Sequence, residues 1–209
     1  MSKPRLIVIG AGGHAHACID VIEQCGIYQI VGLVGMPEEM NAEHLGYAVI
    51  AADDDMPTLA KTYGYAFIAV GHILSPAIRT RLYLRTTELG FKMPTIVAPT
   101  AYVSRHATIG AGTIVMHGAI VNAGARIGNN CIINTRAVVE HDATVADYCH
   151  ISTGVILNGD VKVGTGSFVG SGSVVKEGVS IGLECIIGMG LTVRHNQSDK
   201  TRSTWSRKS

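Results

Sequence analysis

Aromatic and charged side chains are both scarce in this sequence of 209 residues, at 5% and 16% respectively. The net charge of only +1 argues against the strongly basic surface that a nucleic-acid-binding protein needs. No apolar run approaches the length of a transmembrane helix, and the first residues, Met1–Arg5, lack the pattern of a signal peptide. We therefore expect a soluble, cytoplasmic protein with neither a nucleic-acid nor a membrane partner.

Glycine, by contrast, is abundant at 25 residues, and many of the glycines belong to a strict six-residue repeat. From Thr95 to Asn196 the sequence divides without a gap into 17 hexads, and the third residue of each is Val, Ile or Leu. A period of six does not match the 3.6-residue period of an α-helix. One inward aliphatic residue and one glycine-rich bend per hexad are typical of a left-handed parallel β-helix, in which three hexads close one triangular coil.

The repeat predicts about six coils with no inserted loop, and residues 18 apart should stack at the strand spacing of about 4.8 Å. Glycine and asparagine recur at the fourth and sixth positions of the hexads, where we expect left-handed backbone angles at the bends. The five cysteines contain no C-x-x-C motif, and Cys131, Cys149 and Cys185 fall at the small first position of a hexad. They are expected to be reduced core residues.

The first 94 residues show a different pattern, in which strand and helix signals alternate. This order predicts a small Rossmann-like α/β domain with a parallel sheet. A helix is predicted over Pro76–Leu89, with Arg79, Arg81 and Arg85 on an exposed face. The predicted organisation is an α/β domain at 1–94, a β-helix at 95–196 and a polar, basic tail at 197–209.

A glycine-rich loop follows the first predicted strand. Gly10, Gly12 and Ala15 match the dinucleotide fingerprint G-x-G-x-x-G/A, but the end of the second strand reads Gly35-Met36 where that fingerprint requires an acid. We therefore do not expect NAD. Free N–H groups at a helix N-terminus still favour a phosphate, so a mononucleotide diphosphate is the expected ligand. A tight turn without a ligand is the alternative.

Nine histidines are available for chemistry. His14 and His16 form the only close pair, and no third ligand is evident, so no metal site is expected. His141 is the strongest candidate because it lies on a bend between Glu140 and Asp142. A carboxylate beside a histidine can orient the ring and raise its basicity, which is the arrangement of a general base. An exposed loop histidine with ordinary acidic neighbours is the alternative.

The GAGGHA loop at residues 10–15, the hexad repeat and the VVEHD stretch at 138–142 together resemble one family. They are similar to the hexapeptide-repeat nucleotide-sugar acyltransferases, which include sialic acid O-acetyltransferases, bacillosamine-pathway N-acetyltransferases and perosamine N-acetyltransferases. The resemblance extends over almost the whole chain. It implies a homotrimer in which acetyl-CoA lies between adjacent subunits and the N-terminal domain binds the nucleotide sugar.

The resemblance also implies roles for individual residues. It makes His141 the general base and Asp142 the carboxylate that supports it. It implies acetyl-CoA contacts at His150, Ser171 and Met189, and nucleotide-sugar contacts at Gly12, Gly13, His14 and Gly71. Asn134, at a bend, is a further candidate that would line the site from a neighbouring subunit.

One stretch departs from the pattern of the UDP-sugar members of this family. Those members carry an acidic pair after the second strand, as in VGFVDD, whereas residues 31–36 here read VGLVGM. The departure favours a different base or sugar, and the perosamine N-acetyltransferases are the most similar members. The expected substrate is a nucleotide-linked 4-amino-4,6-dideoxysugar, with GDP-perosamine preferred, used for O-antigen or other surface glycan biosynthesis.

Direct transfer of the acetyl group is expected, because no serine or cysteine nucleophile stands beside His141 in the sequence. One coil further along, Gly159 is expected to offer its backbone N–H to the oxyanion, unless it only forms the bend. Other readings stay open: a UDP-4-amino-sugar N-acetyltransferase, a sialic acid O-acetyltransferase, a carbonic-anhydrase-like metal trimer and a non-catalytic β-helix scaffold.

Overall fold

The computed structural model of the chain describes residues 2–203. Its N-terminal part is a five-stranded sheet with the order β3-β4-β2-β1-β5, in which only β3 is antiparallel to its neighbour. The strands are β1 Arg5–Ile9, β2 Gln29–Gly35, β3 Glu43–His44, β4 Tyr47–Ala52 and β5 Tyr65–Ile68. The helices are α1 Gly13–Cys25, α2 Met56–Ala60 and α3 Ala77–Glu88, with short 3₁₀ helices at Pro37–Glu39 and Asp53–Asp55.

Helix α1 follows β1 directly and covers one face of the sheet. It begins after Gly12 and ends at Gly26, whose φ of 68° lets its N–H reach back to the carbonyl oxygens of Ile22 and Glu23. A left-handed glycine of this kind is a common way to end a helix. The apolar stripe of the helix is fully buried against the sheet, as its hydrophobic spacing requires.

The second part is a left-handed parallel β-helix, as the hexads predict. Its three faces contain seven, six and five strands, and up to Val193 each strand pairs with the strand 18 residues away, as Ile120 does with Val138. We call the face that begins with β6 the first face, and those that begin with β7 and β8 the second and third. The strands are β6 Ile96–Val97, β7 Tyr102–Val103, β8 Thr108–Ile109, β9 Ile114–Val115, β10 Ile120–Val121, β11 Arg126–Ile127, β12 Ile132–Ile133, β13 Val138–Val139, β14 Thr144–Val145, β15 His150–Ile151, β16 Ile156–Leu157, β17 Lys162–Val163, β18 Phe168–Val169, β19 Val174–Val175, β20 Ser180–Ile181, β21 Ile186–Ile187, β22 Thr192–Val193 and β23 Arg202–Ser203.

The bends use glycine for two different reasons. In every hexad from Gly112 to Gly190 the sixth residue has a positive φ, which confirms the expected left-handed angles there. The same expectation is wrong for the fourth position, where no glycine has a positive φ. A Cβ on Gly110 would lie 2.6 Å from the carbonyl carbon of Gly128 on the next coil, so the close approach of stacked coils excludes a side chain.

The third residues of the hexads fill the interior of the β-helix, together with small first residues. Cys131, Cys149 and Cys185 are fully buried free thiols among them, and each donates to a backbone carbonyl 3.1 Å away. Burial raises the pKa of the Cys149 thiol well above its usual value. These cysteines are therefore small core residues, as expected from the sequence.

The two parts of the chain share a hydrophobic core. Outward side chains of the first face, including Ile96, Ile114 and Ile132, are buried against α1 residues such as Ile19 and Ile22. This packing fixes the α/β domain on the first face of the β-helix.

The β-helix continues into the segment predicted as a tail. Gln197 bridges to Ile181, and β23 pairs with β21, so residues 197–203 extend the coil. The remaining tail residues lie outside the described range. No helix within residues 2–203 has the length and hydropathy needed to span a bilayer.

Candidate active site

A cleft of about 730 Å³ opens at the carboxyl ends of the parallel strands, between the α/β domain and the first face. Gly12, Gly13, His14 and Gly71, all predicted to contact a nucleotide sugar, line this cleft. His150, from β15, also lines it. The structure thus groups His150 with the nucleotide-sugar residues, and its contact with acetyl-CoA stays a prediction.

The glycine-rich loop leaves the N-terminus of α1 open to a ligand. Gly10 has a φ of 114°, and a Cβ there would lie 2.8 Å from Cγ2 of Val70, so only glycine fits the turn. Gly12 and Gly13 have no atom within 4 Å of the position of an added Cβ. The first N–H groups of α1 can therefore meet a phosphate group, which the positive end of the helix attracts.

Three histidines, His14, His72 and His150, meet at the β5 side of the cleft. The ring centroids of His72 and His150 are 5.6 Å apart, and those of His14 and His150 are 6.4 Å apart. Burial, followed by nearby positive charge, lowers the pKa of His14 and of His72 to about 3. Burial also lowers the pKa of His150 to about 4. All three rings are therefore neutral near pH 7.

These buried histidines predict a loss of stability in mild acid. Because their pKa values in the folded protein lie below the ordinary 6.5, protons bind to the unfolded chain first as the pH falls. Their stabilisation is complete above pH 6.5 and declines towards pH 4, by up to roughly 1.4 kcal/mol per pH unit for each histidine. Urea unfolding at a series of pH values measures how steeply the free energy of unfolding falls with pH. His72→Phe removes one of the three histidines and should reduce this slope by about a third. A constant free energy of unfolding would contradict the burial of neutral rings.

Arg79 lies beneath the histidines, and the prediction that it coats an exposed helix face is wrong. It is fully buried, with Nη1 donating to the carbonyl oxygens of Ile68 at 2.7 Å and Val70 at 2.8 Å. Its Nε donates to the carbonyl oxygen of Asn130 on the β-helix at 3.1 Å. These carbonyls, left free where β5 ends and where a coil bends, provide the polar partners that a buried guanidinium needs. Of its two neighbouring arginines, Arg81 lines the cleft.

Acidic residues that the sequence analysis missed line the opposite, β2 side of the cleft. Glu39 and Asp53 both face it, together with Met36. Oε2 of Glu39 accepts a hydrogen bond of 2.7 Å from the backbone N–H of Met36. No acid directly follows the second strand, and Glu39 of the next 3₁₀ helix provides a carboxylate on this side of the cleft instead. The spacing of Met36-Pro37 and Glu39, which resembles a capping box, is the sequence signal that could have found it.

His141 lies in a separate, shallow groove at the bend after the second face. Its Nδ1 is 2.9 Å from Oδ2 of Asp142, and 66% of its side-chain surface is exposed. The hydrogen bond to Asp142 raises the pKa of His141 above its usual value. Glu140 is held to one side by Nδ2 of Asn122 at 2.8 Å. The carboxylate of Asp142 thus fixes the proton on Nδ1 and leaves Nε2 free to accept another.

Gly159 forms the floor under this ring, one coil further along the β-helix. A Cβ at this position would lie 2.7 Å from both Cε1 and Nε2 of His141, so the ring occupies the space that a side chain would need. Within the described residues, the Gly159 N–H has no hydrogen-bond acceptor. The structure therefore brings together His141, Asp142 and Gly159, the three residues predicted to be catalytic.

The two sites do not meet within one chain. In the described part of the chain, residues 2–203, no residue lines both the cleft and the His141 groove. Ser171 and Met189 lie 18 residues apart on a third surface, the bend after the first face, where Oγ of Ser171 is 2.9 Å from Oγ of Ser152. Asn134 lies between the cleft and this bend, with Nδ2 3.1 Å from Nε2 of His150. Over residues 2–203, no cluster of three or more His, Cys, Asp or Glu side chains is arranged to hold a metal ion.

Three known families match parts of the sequence. Residues 5–85 match the PglD N-terminal domain. Residues 124–159 match the bacterial transferase hexapeptide (six repeats), and residues 160–194 match the hexapeptide repeat of succinyl-transferase. No curated protein sequence matches the chain significantly.

Solved structures resemble the chain over almost its full length. A histidine-to-asparagine mutant of perosamine N-acetyltransferase from Caulobacter crescentus, in complex with CoA and GDP-perosamine, is 32% identical, with a TM-score of 0.91 over 98% of this chain and 95% of that chain. The acetyltransferase domain of PglB from Neisseria gonorrhoeae, in complex with acetyl coenzyme A, is 29% identical, with a TM-score of 0.89 over 98% and 97%. WeeI from Acinetobacter baumannii, at 15% identity and a TM-score of 0.62, shares the fold.

Proposed function

Because the chain belongs to the hexapeptide-repeat nucleotide-sugar acetyltransferases, we propose that it acetylates the amino group of a nucleotide-linked sugar. The donor is acetyl-CoA, and the acceptor is the 4-amino group of a 4-amino-4,6-dideoxysugar, with GDP-perosamine as the preferred candidate. The observation that carries the proposal is the His141–Asp142 pair, with Nδ1 and Oδ2 2.9 Å apart and Nε2 free above a glycine floor. This is the geometry that a general base needs to accept a proton from an attacking amine.

The proposed reaction is a direct transfer. The neutral amine attacks the thioester carbonyl carbon, and its excess proton passes to Nε2 of His141. When the tetrahedral intermediate collapses, the carbon–sulfur bond breaks and the departing thiolate takes that proton. Asp142 stabilises the imidazolium that forms in between, and the free N–H of Gly159 donates to the developing oxyanion. We assign no covalent acetyl-enzyme, because within residues 2–203 no serine, threonine, cysteine or lysine side chain lines the His141 groove.

The separation of the cleft from the His141 groove supports a site that is completed by a second copy of the chain. His141 would then act on a sugar held in the cleft of a neighbouring subunit, in a homotrimer whose β-helices pack side by side. In this arrangement Ser171 and Met189 would contact acetyl-CoA at the subunit boundary, with His150 and Asn134 between the two substrates. Gly12, Gly13, His14 and Gly71 would bind the nucleotide sugar.

A panel of possible acceptors tests this function. The protein is incubated with acetyl-CoA and GDP-perosamine, a UDP-linked 4-amino sugar or a sialic acid, and release of free thiol is followed. We expect the highest kcat/KM with GDP-perosamine and a product acetylated on nitrogen, which mass spectrometry identifies. A preference for the UDP-linked sugar would show that the nucleotide base is uracil and not guanine. A preference for sialic acid would show that the enzyme acetylates oxygen and not nitrogen. Absence of turnover with every acceptor, without saturable binding of CoA, would favour a scaffold.

A further inference from the structure

The histidines at the β5 side of the cleft and Arg79 beneath them carry several unpaired polar atoms. Within residues 2–203, Nε2 of His14, both ring nitrogens of His72 and Nη2 of Arg79 have no hydrogen-bond partner, although each atom is buried. Buried polar atoms of folded proteins are nearly always paired. Three of these atoms belong to His14 and His72, which line the open cleft, and they therefore indicate a site that faces a ligand.

His150 is not one of these free groups, because its hydrogen bonds are complete. Its Nδ1 lies 2.7 Å from the carbonyl oxygen of His72, which can only accept, so Nδ1 carries the proton. Nε2 of His150 then accepts from Nδ2 of Asn134 at 3.1 Å, and Oδ1 of Asn134 accepts from the N–H of Thr135 at 2.8 Å. This chain of bonds anchors the backbone of His72 to the β-helix.

The ring of His72, in contrast, keeps one donor and one acceptor without partners. Only 7% of the residue is exposed, and it lines the cleft. Burial, then His150 and Arg79, lowers its pKa to about 3, so the ring is neutral near pH 7. Within the described residues the Arg79 guanidinium makes no ion pair with a carboxylate, and its charge disfavours a second cation nearby. A neutral group that both donates and accepts, such as a hydroxyl, suits this site.

The order of the strands indicates which part of a nucleotide sugar would reach His72. β1 lies between β2 and β5, and the N-terminus of α1, where the diphosphate would bind, follows β1. Met36, Glu39 and Asp53 lie on the β2 side, and His72 lies on the β5 side. The nucleoside and the sugar extend in opposite directions from a diphosphate. The β5 side meets the β-helix through His150, and the β-helix carries the proposed catalytic residues, so the sugar belongs there.

We propose that His72 is a specificity-determining residue whose two ring nitrogens hydrogen-bond to neutral hydroxyl groups of the hexose. His150 and Arg79 are positioning residues that hold the His72 backbone and the end of β5 in place. This inference rests on the proposed function, since it requires a nucleotide-linked sugar in the cleft.

The test compares His72→Phe with the wild type. Phenylalanine keeps the ring in place and removes both polar atoms. We expect KM for GDP-perosamine, or for the UDP-linked sugar if the panel prefers it, to rise about 10-fold or more. KM for acetyl-CoA and the Kd of the free nucleoside diphosphate should stay within about twofold, because neither contains the hexose. His72→Gln, which retains one donor and one acceptor, should recover most of the affinity. If the phenylalanine variant fails to assemble, His72→Leu, which also removes both polar atoms, replaces it with the same expected rise in KM.

His44→Phe is the matched control, because it removes an imidazole of the same domain that lies outside the cleft. Among the described residues, the His44 ring hydrogen-bonds only to the ring of His16. It should leave every constant unchanged. An equal loss of affinity for the free nucleoside diphosphate in His72→Phe would overturn the sugar assignment, and so would an unchanged KM for the nucleotide sugar. Failure of the proposed function would look different, because the wild type itself would then turn over no nucleotide sugar.

Discussion

Replacing His141 with alanine or asparagine is expected to lower kcat by roughly 10²–10⁴-fold, the usual contribution of a general base. Neither replacement can accept the proton of the attacking amine. The imidazole is largely exposed, and within residues 2–203 its only side-chain hydrogen-bond partner is Asp142, so the fold and the assembly should be preserved. Steady-state thiol release measures kcat, and size-exclusion chromatography checks the oligomer.

Two further variants test whether the loss of kcat reflects the role of His141 as the general base. Asp142→Asn should lower kcat less, and it should move the rise of kcat with pH to lower values, because the hydrogen bond that raises the pKa of His141 is weakened. His106→Ala is the matched control, since it removes an exposed histidine from the same row of bends, two coils away. A nearly wild-type rate in the His141 variants would remove this residue from the mechanism. Acetylated protein after incubation with acetyl-CoA alone would exclude direct transfer.

A single added methyl group at Gly159 is expected to lower kcat by about 10–100-fold without unfolding the protein. The alanine Cβ would lie 2.7 Å from Cε1 and Nε2 of His141, so the ring must turn away from its position over the floor of the groove. Because the ring is exposed and the φ of Gly159 is not in the left-handed region, this movement costs little stability. A displacement of about 1 Å is enough to reduce a proton transfer by two orders of magnitude.

The Gly159→Ala variant distinguishes an effect on the position of the His141 ring from an effect on the stability of the protein. Thermal unfolding should change by no more than about 2 °C, while thiol release falls. Gly64→Ala is the control, because no atom lies within 4 Å of its added Cβ and its φ is likewise outside the left-handed region. Full activity in the Gly159 variant would show that the observed ring position is not the catalytic one.

The sequence could predict the β-helix because its contacts repeat at a fixed separation. Within the hexad repeat each strand pairs with a strand 18 residues away, so every coil requires the same residue types at the same positions. The aliphatic third position makes this period visible in the sequence. The same arithmetic places Gly159 one coil away from His141. It did not reveal why glycine stands at the fourth position, since Gly110 is required by a backbone in the next coil and not by its own φ.

The α/β domain was predictable in outline, from buried strands that alternate with helices and from the glycine loop. Hairpin strand β3 was missed because two residues carry no periodic signal. Arg79 was assigned to the surface because an arginine on a short helix is usually exposed. Only the packing of α3 against β5 and the β-helix supplies the three carbonyl oxygens that allow its burial.

The sequence by itself thus determined the repeat, the two-part architecture and the His141–Asp142 pair, because each rests on local spacing. The tertiary structure decided the environment of His14, His72 and His150, which come from a helix N-terminus, a strand end and the β-helix. It also placed Glu39 and Asp53 opposite them across one cleft. Their meeting depends on the docking of the α/β domain on the first face, and burial by that docking keeps the histidines neutral. No spacing along the chain encodes such contacts, because they form between surfaces from distant parts of the sequence that exclude water together.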